Sequence, residues 1–123
     1  MAGLEIEQAP AGEGGRSLFR LAGSLDLTTV DRLRAAAGPA CGAGNEVVLD
    51  LSGVTFCDST GVGTFVWLHR QATAAGGRLL LAAPRRHVRE VLRISGVDRA
   101  ITVIGRNALN GTRRPDRKPG AGS

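Results

Sequence analysis

Tyrosine is absent from this chain, and the remaining aromatic side chains are three phenylalanines and one tryptophan among 123 residues. Valine, leucine, isoleucine and alanine must therefore fill the interior, and 42% hydrophobic residues suffice for one compact core. Cysteine is scarce as well. Cys41 and Cys57 offer neither a metal-ligand spacing nor a disulfide framework, and read as reduced thiols of a cytoplasmic protein. Long apolar runs are missing: Leu79 to Ala83 falls far short of the about 20 residues that span a bilayer. The stretch Met1 to Glu7 has no basic segment followed by an apolar one, so no signal peptide is expected.

Acidic charge is in deficit, but only locally. The formal net charge is +5, of which residues 106–123 carry +4 and residues 1–105 only +1. The globular part is thus nearly neutral, and the basic excess belongs to a tail more suited to solubility than to reading nucleic acid.

The equipment of an enzyme is missing too. A serine nucleophile needs a base, and the only histidines are His69 and His87. His69 is placed on the buried side of a helix and His87 in an arginine-rich surface helix. Asp58-Ser59-Thr60-Gly61 is not a Gly-x-Ser-x-Gly elbow. Gly61-Val62-Gly63 lacks the third glycine of a dinucleotide fingerprint, and no phosphate-loop lysine follows it. No cluster of Cys, His or carboxylates has the spacing of a metal site. The expectation is a protein with no catalytic residues, no metal and no cofactor of its own.

Along the chain, Leu4-Glu5-Ile6-Glu7 alternates as a half-buried strand does. Residues 9–15, rich in Gly and Pro, read as a hairpin connection to a second strand, Ser17 to Ala22, ended by Gly23. Thr28 with Asp31 resembles a weak capping box. Val30, Leu33 and Ala37 then mark a helix stopped at Gly38-Pro39. Glu46 to Leu51 is a continuous apolar run that predicts a strand buried on both faces. A helix is expected from Thr60 to about Ala75, with Val62, Phe65, Val66, His69, Ala72 and Thr73 inward. Thr64, Trp67, Leu68 and Gln71 would then face outward.

Gly76-Gly77 ends that helix, and Arg78 to Ala82 forms another buried strand. A third helix, Arg85 to Ser95, buries Val88, Val91, Leu92 and Ser95 and carries Arg85, Arg86, Arg89 and Arg93 on an adjacent face. Ile101 to Ile104 is a last short strand. Residues 106–123 form the basic tail, disordered from 111 onward. The fold class is α/β, a single domain over residues 1–105 with a mixed, mostly parallel sheet of about five strands and three to four helices.

The most informative stretch is Asp50 to Gly63. There an apolar strand leads to an acid and two hydroxyls at an expected helix N-terminus, where an anion is favoured by roughly 0.3–1 kcal/mol. Ser59 is either an N-cap, a role Asp58 could fill equally, or the place where a phosphate is attached.

Leu49 to Gly63 resembles, along its length, the strand–loop–helix signature of anti-sigma factor antagonists of the STAS-domain family. Gly23-Ser24-Leu25-Asp26…Thr29 is similar to that family's Gly-Glu-Leu-Asp turn, with Ser24 in place of the acid. Gly76 to Leu81 and Ile94-Ser95-Gly96-Val97 resemble later landmarks, so the likeness covers about residues 4–105. The family usually ends in a further helix, of which Asn107 to Asn110 would supply little more than a turn.

The resemblance implies a STAS-like domain whose unphosphorylated form binds an anti-sigma factor serine kinase and frees a sigma factor. It implies Ser59, in preference to Thr60, as the phosphate acceptor. Phosphorylation there would switch the protein off, the kinase would supply ATP, and a PP2C-type phosphatase would restore the active form. The residues expected to meet the partner are Asp26, Asp58, Ser59, Thr60, Gly61, Thr64, Trp67 and Leu68. The alternative is a STAS scaffold or ligand-responsive regulatory subunit that is not phosphorylated. Membrane and nucleic-acid partners are not expected.

Overall fold

The computed structural model describes residues 3–9 and 16–106. The expected hairpin connection, the short turn near Leu109 and the disorder from 111 onward lie outside the described residues. Strands β1 (Leu4–Ala9) and β2 (Arg16–Leu25) are followed by helix α1 (Val30–Gly42), β3 (Glu46–Cys57) and α2 (Ser59–Ala74). Then come β4 (Arg78–Ala82), α3 (Arg86–Ser95), a single 3-10 turn (Val97–Arg99) and β5 (Thr102–Ile104). The strands lie side by side in chain order. β1 runs antiparallel to β2, and every later pair is parallel. The α/β class and the mixed, mostly parallel five-stranded sheet expected from the sequence are therefore observed, with three α-helices among the described residues.

Strand alternation assigns the two faces. Phe19, Leu21, Leu49, Leu51, Leu79 and Leu81 share one continuous core with Leu33 and Ala37 of α1, Phe65, Leu68 and Ala72 of α2, and Val88 and Leu92 of α3. On the opposite face Val48, Leu80 and Ala82 form a second small cluster with Leu18 and Ile104. That is why the centre of β3 reads as an unbroken apolar run. At the amino ends of three parallel strands, Glu46 binds Arg16 at 2.5 Å and Arg78 at 2.8 Å, tying β2, β3 and β4 together.

Several boundaries differ from the sequence reading. Gly23 does not end β2. It adopts φ +119°, a side chain there would put its Cβ 2.0 Å from the Gly3 carbonyl, and the register with β3 shifts beside it. The glycine thus makes a bulge, and the strand continues to Leu25.

Gly38-Pro39 does not stop α1, which runs on to Gly42. Pro39 has no amide proton for the Ala35 carbonyl, and the helix nevertheless continues past it, with Ala35 exposed. No Thr28–Asp31 box forms either: Thr28 turns back to Asp26. β3 runs past Leu51 to Cys57, beyond its last pairing with β4 at Asp50, because β2 continues beside it. Ser95, expected to be buried, is exposed.

Candidate functional site

The carboxyl ends of β2 and β3 leave the sheet together. Leu25 pairs with Cys57, and the Asp58 amide donates to the Leu25 carbonyl at 3.2 Å. The turn that begins at Asp26 and the start of α2 are therefore neighbours by construction.

Asp58 is the N-cap of α2. Its backbone is extended (φ −103°, ψ −169°), and its Oδ1 accepts from the amides of Thr60 at 2.9 Å and Gly61 at 3.2 Å. The capping role therefore falls to Asp58, and Ser59 is the first helical residue, exposed to solvent. None of the side-chain hydrogen bonds at the helix start uses Ser59. Gly61 is required by close approach, since a Cβ there would lie 2.8 Å from Cys57 Sγ and 3.0 Å from Leu25 Cβ. It lets α2 begin directly against the ends of both strands.

Asp26 is held in the adjoining turn. Its Oδ1 accepts from the Thr28 amide at 2.9 Å and the Thr28 hydroxyl at 2.7 Å. Thr29, buried beneath, accepts from the Asp26 amide and donates to the Ser24 carbonyl at 2.8 Å. The structure thus brings Asp26, Asp58, Ser59, Thr60 and Gly61 to one end of the sheet, as the sequence reading required.

It does not bring Thr64, Trp67 and Leu68 onto that surface. Thr64 and Leu68 are both 0% exposed, with the Thr64 hydroxyl donating to the Thr60 carbonyl at 3.0 Å. Trp67 is half-buried, packed on Gly38 of α1 and covered by the Arg34 guanidinium 5.2 Å from its ring centroid. Of the outward face expected along α2, Gln71 is exposed, whereas Thr64 and Leu68 are buried and Trp67 packs on α1. Conversely, His69 and Val66, expected inside, are only partly buried, and Thr73 is exposed.

Two residues that the sequence reading passed over occupy the site instead. Leu27 is 77% exposed in the turn after Asp26, and Phe56 is 49% exposed at the end of β3. Large apolar side chains exposed around a single exposed serine are features of a docking surface. Their signal in the sequence was positional only in that Leu27 follows Asp26 and Phe56 lies three residues before Ser59.

Chemically, neither histidine is placed as a base for Ser59. His69 lies ten residues along α2, about 15 Å at 1.5 Å per residue. The ring Nε2 of His87 is held by the Thr55 carbonyl at 2.6 Å. Burial, followed by the neighbouring Asp58 charge, pushes the Cys57 thiol up to about 11, and burial alone does the same to Cys41. Both stay protonated near neutrality. Among the described residues no group of three or more His, Cys, Asp or Glu is placed to hold a metal, and no helix is long and apolar enough to cross a membrane.

Comparison with known proteins gives a consistent set of likenesses. Residues 9–105 match the family model described as Mlab, STAS domain. An anti-sigma F factor antagonist of Lysinibacillus sphaericus is 34% identical over 82 residues, covering 65% of this chain and 70% of that protein. Among solved structures, the anti-sigma factor antagonist SpoIIAA in its unphosphorylated form superposes with a TM-score of 0.73 at 24% identity, covering 93% of this chain and all of SpoIIAA. The Bacillus cell fate determinant SpoIIAA in its phosphorylated form gives 0.67 at 24% identity, covering 89% of this chain and all of that one.

Proposed function

Since this chain belongs to the STAS-domain family, we propose that it is a cytoplasmic anti-sigma factor antagonist switched by phosphorylation of Ser59. Its unphosphorylated form binds an anti-sigma factor serine kinase and so releases a sigma factor. In the complex the Ser59 Oγ attacks the γ-phosphorus of the kinase's ATP. ADP leaves, and the hydroxyl proton passes to a base supplied by the kinase. A PP2C-type phosphatase hydrolyses the phosphoserine and returns the protein to its binding form. The chain is substrate and ligand in this cycle, and the catalytic groups belong to its partners.

The observation that carries this reading is the division of roles at the start of α2. Asp58 already occupies the Thr60 and Gly61 amides, so Ser59 is left exposed with no part in holding the helix. A phosphate on Ser59 adds about −1.5 to −2 charge at a positive helix end that tolerates it. With those two amides taken, the phosphate projects outward beside Asp58, toward whatever is docked on Leu27 and Phe56. Like-charge repulsion and bulk at that position weaken docking without unfolding the domain. A shift of about 3 kcal/mol amounts to over a hundredfold in affinity.

The test is to incubate the protein with anti-sigma factor serine kinases and MgATP and to locate phosphate by mass spectrometry. Phosphate on Ser59, with the Ser59→Asp protein losing kinase binding at an unchanged unfolding temperature, is the expected result. Phosphate on Thr60, or on neither residue with several such kinases, overturns the switch and leaves the unphosphorylated scaffold.

A further inference from the structure

A second region of the molecule concentrates charge without neutralising it. An open cavity of about 540 Å³ lies where β4 and β5 end and α3 begins, and Arg85, Arg86, Arg89 and Arg106 line it together with Ser52. Elsewhere Arg16 and Arg78 pair with Glu46, Arg20 with Glu7 and Arg93 with Glu90, Arg32 donates to the Leu4 carbonyl and Arg34 covers Trp67, while Arg70 and Arg99 carry charge outside the cavity. Among the described residues, the four cavity arginines have no carboxylate partner. Arg93, in line with three of them along α3, turns instead to Glu90, so the unpaired charge does not continue along the helix as a stripe.

One of the cavity's arginines is held in place. The Arg85 Nε donates to the Ser52 carbonyl at 2.8 Å, which fixes that guanidinium and leaves its terminal nitrogens available. α3 starts there with no side-chain cap and no acidic residue in its first turn, so nothing of opposite charge competes at its positive end. The carboxyl ends of parallel strands are where open α/β sheets form ligand crevices, and here they form an open cleft facing solvent.

We propose that this cavity binds a small oxyanion of two or more phosphoryl groups, either inorganic diphosphate or a diphosphate carried on a larger molecule. Several guanidinium forks can each take two oxygens from such a group, which a single phosphate could not provide for all of them. The volume exceeds what one phosphate fills. The cavity lies on the β4–β5 side of the sheet and uses none of the residues around Ser59, so the inference stands or falls independently of the switch.

Calorimetric titration of the full chain with inorganic diphosphate, accompanied by amide NMR mapping, tests it. Saturable binding is expected, with shifts at Ser52, from Ala83 to Arg89, and at Gly105 and Arg106. Arg86→Ala/Arg89→Ala should weaken it by about tenfold or more. Arg70→Ala/Arg99→Ala, which removes the same charge outside the cavity, should leave it intact. Should the alanine pair fail to fold, Arg86→Lys/Arg89→Lys keeps the charge but loses the planar fork, and weaker binding is again expected. Orthophosphate should bind more weakly than diphosphate. Stronger binding of an organic diphosphate than of diphosphate itself identifies the carried form as the ligand, and equal binding identifies the inorganic one. An absence of saturable binding to any of them overturns the proposal. So do shifts confined to residues 107–123, or an equal loss in the Arg70/Arg99 protein.

Discussion

Replacing Asp58 by alanine separates the two roles that meet at the start of α2. The carboxylate accepts from two first-turn amides, at 2.9 and 3.2 Å. Losing an N-cap of this type costs about 1 kcal/mol, within a range of roughly 0.5–2. Removing a negative charge from the positive helix end adds about 0.3–1 kcal/mol. The sum is about 1–3 kcal/mol, and at about 4–8 °C per kcal/mol for a domain of this size the unfolding temperature should fall by about 4–24 °C. Asp58→Asn keeps an acceptor and gives up the charge, so it should fall between the two. Ser59→Ala breaks no hydrogen bond and should stay within about 0.5 kcal/mol of the parent. Thermal melts followed by far-UV circular dichroism, checked against urea midpoints, measure all three. If Ser59→Ala proves as damaging as Asp58→Ala, the serine holds the helix. Phosphorylation would then disturb the fold, and the reasoning fails.

Other consequences are as direct. Leu27→Ala/Phe56→Ala should weaken kinase binding by about tenfold or more, as truncated interface anchors do, with the unfolding temperature unchanged; binding at parental strength would exclude these side chains as anchors. Leu68→Ala should cost about 2–5 kcal/mol of stability as a large-to-small change in a closed core, measured as a drop in urea midpoint; a surface-like effect would contradict the α1–α2 packing. Glu46 is raised by burial but more strongly lowered by hydrogen bonds and charge from Arg78 and Arg16, so its folded value lies below 4.5. A depressed carboxylate contributes stability that is present above its unfolded value and is lost as pH falls through the folded one. Glu46→Gln should therefore be the less stable protein at pH 7. The two urea midpoints should converge as the pH drops below 4.5; parallel curves would show that the two ion pairs contribute nothing.

Element type and order were legible because strand and helix periodicities differ and glycines punctuate the chain. The end of α2 at Gly76-Gly77 shows this, with the Gly77 amide closing on the Ala72 carbonyl at 2.8 Å. The motif from Asp58 to Gly61 was legible because capping chemistry is local. The face of α2 was not. This helix is covered on one side by the sheet and on another by α1, so apolar residues surround it and the periodic signal is weak. Thr64 looked like a surface residue, yet its hydroxyl is satisfied within its own helix and the side chain is then free to be buried. Trp67 depends on Gly38, a residue of another element with ring atoms 3.4 Å from where its Cβ would stand, and no local pattern reports such a contact. The exposure of Leu27 and Phe56 became visible only in the structure, where the ends of β2 and β3 pair at Leu25 and Cys57.

The overhang of β3 carries a consequence for the behaviour of the protein in a crowded solution. From residue 51 to Cys57 the strand has β2 on one side and no ladder partner in β4 on the other. A bare strand edge recruits strands from other molecules. Here the Ser52 carbonyl is taken by the Arg85 side chain and the Thr55 carbonyl by the His87 ring. Two bulky, hydrophilic groups from the start of α3, its N-cap Arg85 and His87, thus stand where an incoming strand would have to lie. Solubility in this region rests on side chains shielding a backbone edge, and the shield is removable. Replacing both Arg85 and His87 with small residues would leave the secondary structure intact and give a protein whose association grows with concentration.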